Sequence, residues 1–164
     1  MKTLLVIRHA KSEQGLLLND FDRPLNDRGK RDAPAMAQRV RERGAHPQLI
    51  VSSPAKRARK TAEYFFKEWK LPENSFILKS ELYHAQPQVF FDVVASLDDT
   101  ASDVAIFSHN PGITYFVNML TQARLDNMPT CAVFAIKANI TRWKDFAKAE
   151  KEFWFFEYPG GLPA

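Results

Sequence analysis

The sequence predicts an α/β fold: a three-layer sandwich with a mostly parallel central sheet flanked by helices. Two observations carry this. Short apolar, β-branched runs alternate with amphipathic runs at helical spacing along most of the chain. Three of the apolar runs also end in polar clusters, as strands do where an open α/β sheet presents a ligand site.

Taken in order, residues 3–8 (TLLVIR) make the first buried strand. Residues 29–43 follow as a helix, with Ala33, Met36, Ala37 and Val40 at helical spacing and Gly44 as the stop. Residues 48–52 (QLIVS) are the second strand. Residues 55–69 place Ala58, Ala62, Phe65, Phe66 and Trp69 on one helical face. Strands at 75–79 (SFILK) and 103–108 (DVAIFS) enclose a helix at 87–97, and another helix is expected at 112–122. Residues 132–138 (AVFAIKA) and 152–158 (EFWFFEY) close the sheet. In the last strand, alternation puts Phe153 and Phe155 on one side and Trp154 and Phe156 on the other. An uncovered face there would make a dimer contact, so the expectation is a monomer or weak homodimer.

The 164 residues are 45% hydrophobic and 26% charged, and we expect one domain over 1–164. A chain of this size buries roughly 70% of its unfolded surface, enough for a core without covalent staples. Cys131 is the single cysteine, so no internal disulfide is possible. The apolar run Leu4–Ile7 is too short for a signal peptide and is broken by Arg8. No stretch approaches a membrane span. We therefore expect a cytoplasmic protein with no membrane partner. Net charge is +4, which fits anionic substrates. No interleaving of aromatic and basic residues, and no Cys/His spacing, points to nucleic acid.

The three polar strand ends are Arg8-His9-Ala10, the run Ser52-Ser53-Pro54-Ala55-Lys56-Arg57-Ala58, and Ser108-His109-Asn110-Pro111-Gly112. In a parallel sheet they share one edge, so two arginines and two histidines converge. A phosphoryl group carries about two negative charges near neutral pH. The arginine fork matches its oxygens. A neutral imidazole is a competent nucleophile toward phosphorus. A second, protonated imidazole can donate to a phosphoryl oxygen in the transition state. This balances the charge without a metal, and no carboxylate set has metal-ligand spacing. We expect no cofactor.

These blocks resemble a known family. R-H-A at 8–10 is near that family's R-H-G. D-F-D-R-P-L-N-D-R-G-K-R-D-A at 20–33 resembles its Arg-Pro-Leu followed by Gly and Ala. S-P-A-K-R-A-R-K-T-A at 53–62 is close to S-P-x-x-R-A-x-x-T, and S-H-N-P-G at 108–112 is near G-H-x-P. The chain looks like a member of the histidine phosphatase superfamily, with the phosphoglycerate mutase-like fold. Within it, the chain is most similar to the short SixA-type phosphohistidine phosphatases. The resemblance implies that His9 is phosphorylated on a ring nitrogen, that Arg8, Arg57 and His109 hold the phosphoryl group, and that water then releases phosphate. Ser12 follows closely enough to add a donor. Two positions depart from the pattern. Ala10 stands where glycine is usual, adding a methyl against the backbone. Asn26 stands where many members have Ser or Thr, and can still cap the helix that follows.

The nearest candidate for a general acid is Glu81, in K-S-E-L-Y-H, with His84 behind it. Neither sits in a sharp motif. An alkoxide leaving group needs a positioned acid, whereas an imidazole leaves more readily because its ring protonates near pH 6.5. The longest irregular stretch, Gln14 to Asn26, can cover only one side of the site. An open site admits a protein-borne substrate, with Lys11, Arg23, Arg28, Lys56 and Arg59 as a basic rim. The expected activity is thus removal of phosphate from phosphohistidine on a partner protein, in signal transduction. The alternatives are a phosphatase of small phosphate esters and a phosphate- or phosphoprotein-binding module without turnover.

Overall fold

The computed structural model describes residues 1–15 and 17–161. The strands are β1 (Lys2–Arg8), β2 (Leu49–Ser52), β3 (Phe76–Leu78), β4 (Asp103–Ser108), β5 (Val133–Ala138) and β6 (Lys151–Glu157). The α-helices are α1 (Asp27–Glu42), α2 (Lys56–Glu68), α3 (Pro87–Ala95) and α4 (Gly112–Val117). Short 3-10 turns occupy Asp20–Asp22, Glu73–Ser75, Ser80–Leu82 and Trp143–Lys148. The sheet order is β3-β2-β4-β1-β5-β6. The first four strands in that order run parallel. β5 and β6 are antiparallel additions on the far side of β1. The expected α/β sandwich with a mostly parallel sheet is what forms.

Strand periodicity splits the core into two layers. Leu4 and Val6 of β1, with Val104 and Ile106 of β4, face α3 and α4 through Phe90, Val94, Ile113 and Phe116. Leu5, Ile7, Ala105 and Phe107 face α1 and α2 through Ala33, Met36, Ala62 and Phe65. Every named strand residue is fully buried. That is why these strands lack the polar alternation of a half-exposed sheet.

Two expectations are corrected. The helix predicted over 112–122 ends at Val117. The Asn118 side chain accepts the Leu125 N–H (2.8 Å) and donates to the Leu125 carbonyl (2.8 Å), which turns the chain into a loop. In β6 simple alternation fails. Ala135 pairs with Phe155 but Ile136 pairs with Phe153, so a bulge accommodates Trp154 as an extra residue. Trp154 and Phe155 consequently both pack on the α1/α2 layer. Phe153 and Phe156 both lie near Phe134, with ring centroids 5.3 and 6.3 Å away.

Candidate active site

The carboxyl ends of β2, β4 and β1 lie side by side, with Arg8 opposite Ser108 and Ser52 opposite Phe107. The three polar clusters therefore meet. They line a cavity of about 460 Å³ together with Lys11, Ser12, Asp20, Arg23 and His84.

His9 is buried, and its Nδ1 lies 2.7 Å from the Ala10 carbonyl oxygen. A carbonyl only accepts, so Nδ1 carries the proton. Nε2 is left with a lone pair, and the Arg57 Nε–H points at it from 3.4 Å. Burial pushes the His9 pKa down to about 3; the Ala10 hydrogen bond opposes this, and the charges of Arg8, Arg57 and Arg23 add to it. The ring is neutral with Nε2 available.

Arg57 is held from its far side. Its Nη1 donates to the Asp20 carbonyl (2.7 Å) and its Nη2 to Asp20 Oδ2 (3.0 Å). Tyr83 donates its hydroxyl proton to the same Oδ2 (2.6 Å), and Arg23 donates through Nε and Nη2 to Oδ1. Partial burial works against the Asp20 charge. The hydrogen bonds from Tyr83 and Arg57, with the arginine charges behind them, outweigh it. They hold the Asp20 carboxyl far below the usual carboxylate range. Asp20 is thus a fixed anion that orients Arg57.

His109 packs 5.2 Å from the His9 ring, centroid to centroid. Its Nε2 lies 2.7 Å from Ser53 Oγ. Ser53 Oγ accepts the Ala55 N–H (3.3 Å), and its proton has no other acceptor among the described residues, so it goes to Nε2. This places the His109 proton on Nδ1, a buried atom with no hydrogen-bond partner among the described residues. Burial pushes the His109 pKa down to about 2, with the neighbouring His9 and Arg57 adding to it. Before a phosphoryl group binds, the second imidazole is therefore neutral and offers a neutral N–H to the cavity. Arg8 donates Nη1 to the Met128 carbonyl (2.9 Å), and its Nε is buried without a partner among the described residues. These two unpaired donors are the kind that a phosphoryl oxygen satisfies.

The motif residues outside this cluster hold its loops. Thr61 Oγ1 accepts the Ala10 N–H (2.9 Å) and donates to the Arg57 carbonyl (2.7 Å), tying the β1 exit to α2. The Ala10 methyl is fully buried among the α1/α2 layer. Asn26 caps α1 by accepting the Gly29 N–H (2.9 Å), and its own N–H donates to the Lys11 carbonyl (3.0 Å). A Cβ at Gly29 would sit 2.1 Å from that same Lys11 oxygen, so only glycine lets α1 approach. The Ser12–Leu25 bridge completes the clamp, and the stretch before it delivers Asp20 and Arg23 into the cavity.

Arg8, His9, Arg57 and His109 converge as expected, and Ser12 lines the cavity while its Oγ accepts from Arg23 Nη1 (2.9 Å). Glu81 does not join them. It is exposed on the Ser80–Leu82 turn, its carboxylate 3.5 Å from Ser80 Oγ, and it is absent from the cavity wall. His84 does line the wall, its ring centroid 3.9 Å from that of Tyr83 and tilted 35° to it. Sequence reasoning gave Asp20, Tyr83 and Ser53 no role. The Asp-rich DFD run and the Ser of S-P-A-K-R were the available signals.

The histidine phosphatase superfamily (branch 1) model matches residues 4–76. A chloroplastic protein of Arabidopsis thaliana, itself uncharacterized, is 30% identical over 95% of this chain and 76% of its own length. The putative phosphohistidine phosphatase SixA from Agrobacterium tumefaciens superposes with a TM-score of 0.80 at 22% identity, covering 97% of this chain and 99% of that one. A protein histidine phosphatase SixA complexed with tungstate also gives 0.80, at 21% identity, covering 96% of this chain and 97% of that one. This chain belongs to the histidine phosphatase superfamily.

Proposed function

We propose that this protein is a phosphatase that takes the phosphoryl group of a protein phosphohistidine onto His9 Nε2 and passes it to water. Arg8, Arg57 and the Nδ1–H of His109 hold the phosphoryl oxygens, the two guanidinium charges matching a dianion. His9 attacks through its Nε2 lone pair. The substrate N–P bond breaks, the Nε2–P bond forms, and the substrate ring leaves as a neutral imidazole when its other nitrogen is protonated. The His9 ring keeps its Nδ1 proton, and its new positive charge is met by the Ala10 carbonyl. Water then attacks phosphorus, the Nε2–P bond breaks, and the two water protons leave with dihydrogen phosphate. Ser12, through its bond to Arg23, keeps that side of the cavity ordered. No metal or cofactor takes part in this reading.

The observation that carries the choice of substrate is the ionised Asp20. It is the one carboxylate on the described cavity wall, and its partners keep it from holding a proton. A phosphate ester needs an acid to protonate its departing alkoxide. A protonated phosphohistidine does not, in either step. The resemblance to SixA-type structures supports the same reading.

The test is phosphate release by the purified protein, without added metal, from a histidine-phosphorylated carrier protein and from p-nitrophenyl phosphate. The expected result is much faster turnover of the carrier and none by His9→Ala. Turnover of the ester alone would move the activity to small phosphate esters. Phosphate release from neither would leave a phosphate-binding module.

A further inference from the structure

A second cavity of about 460 Å³ lies beside the first and shares His84, His109 and Asn110 with it. Its other walls include Ala85, Pro87, Pro111 and Tyr115. The two spaces differ in chemistry. The first carries Arg8, Lys11, Arg23 and Arg57; among the described residues the second has no lysine, arginine or carboxylate on its wall. The phosphoryl group of a phosphorylated imidazole finds its cationic partners in the first. Only a ligand that continues past the imidazole reaches the second, and what suits it there is apolar.

The surroundings fit a protein ligand. Tyr115 is 60% exposed, and Met119, four residues on, is 61% exposed. Phe21, also exposed, packs edge-on against Tyr83, whose ring lies against His84 in the shared wall. His84 has φ 60°, in the left-handed region that costs a non-glycine residue, and this backbone sets the ring that divides the cavities. The floor is preformed: a Cβ on Gly112 would lie 1.8 Å from the Ala85 carbonyl oxygen, so the start of α4 and the Ala85 segment meet without a gap.

Building on the phosphohistidine reading, we propose that the second cavity receives an apolar side chain of the protein substrate that lies beside its phosphorylated histidine. The enzyme thereby selects the segment that carries the phosphoryl group as well as the group itself.

The test uses chemically phosphorylated histidine peptides that differ only at the residues flanking phosphohistidine, Leu on both sides or Asp on both sides. Free phosphohistidine is the third substrate. The cations of the first cavity by themselves favour the Asp peptide, so the sign of the preference separates the two effects. The wild-type protein should hydrolyse the Leu peptide with kcat/KM roughly tenfold or more above the Asp peptide. Tyr115→Asp, at an exposed position, should erase that preference by raising KM, with turnover of free phosphohistidine unchanged. Equal kcat/KM for the two peptides, or an equal loss on all three substrates in Tyr115→Asp, would overturn this proposal and leave the phosphohistidine reading standing. Turnover of none of the three would overturn both. A wild-type dimer that Tyr115→Asp converts to a monomer would assign the cavity to a second copy of the chain and overturn the proposal.

Discussion

Which nitrogen of an imidazole holds the proton decides what that imidazole can do. Here two oxygens make the choice: the Ala10 carbonyl for His9 and Ser53 Oγ for His109. Ser53→Ala removes the donor to His109 Nε2. The ¹⁵N spectrum of His109 should then shift from the Nδ1–H tautomer to a mixture, and kcat should fall about tenfold with little change in KM. An unchanged tautomer would show that Ser53 is only packing. Asp20 is equally open to test. Asp20→Asn loosens the anchor of Arg57, and kcat should fall roughly tenfold, the scale of one charge-assisted hydrogen bond. Because Asp20 orients rather than protonates, the proportional loss should be the same on phosphohistidine and on an aryl phosphate. A loss confined to the ester would make Asp20 an acid. The sequence displayed Arg8, His9, Arg57 and His109 because each stands in a local motif at a strand end. It gave Asp20 no role because a carboxylate's task depends on which donors face it, and those come from residues 3, 37 and 63 positions away.

At the level of elements, glycine and threonine in the motifs serve the joints between strands and helices. Gly29 admits α1 against the Lys11 carbonyl. Gly29→Ala would drive a methyl to 2.1 Å from a backbone oxygen that cannot retreat. The expected cost is about 2 to 3 kcal/mol in urea unfolding, with a loss of activity as the Asp20–Arg23 stretch shifts. Lost activity at unchanged stability would mean that the joint matters only for the site. Periodicity located each strand and α-helix of the fold because the 2-residue and 3.6-residue repeats are local properties. It misjudged the length of α4 and the faces of β6. Asn118 closes its bonds on Leu125, and the Trp154 bulge arises from pairing with β5; both depend on a partner segment. Glu157, at the end of β6, is likewise unremarkable in sequence yet buried against Arg39 and Arg43 of α1 and its C-cap, fastening the sheet edge to the helix layer.

For the molecule as a whole, holding two neutral imidazoles in the core has a pH consequence. Both folded-state pKa values lie below the ordinary 6.5, at about 3 for His9 and about 2 for His109. The unfolded chain therefore binds protons below pH 6.5 that the folded chain does not. The stability is fully present above pH 6.5 and is lost as pH falls toward the folded-state values. Linkage gives a loss of about 2 kcal/mol per ring at pH 5. Urea midpoints should drop between pH 7.5 and 5, and His9→Asn with His109→Asn should flatten most of that drop. In the same range the ¹⁵N shifts of both rings should remain those of neutral imidazole. A ring that charges between pH 6 and 7 in the folded protein would contradict the buried, cation-flanked environment described here.

The sequence by itself determined the layer architecture, the strand ends that carry chemistry and the four residues that gather there, because apolar periodicity and parallel connection put those ends on one edge. Only the tertiary structure decided which nitrogens are free, that Asp20 rather than Glu81 stands in the site, and that an apolar cavity adjoins the cationic one. Protonation and cavity shape depend on which distant groups surround an atom once the chain has folded, and the order of residues along the chain does not record those neighbours.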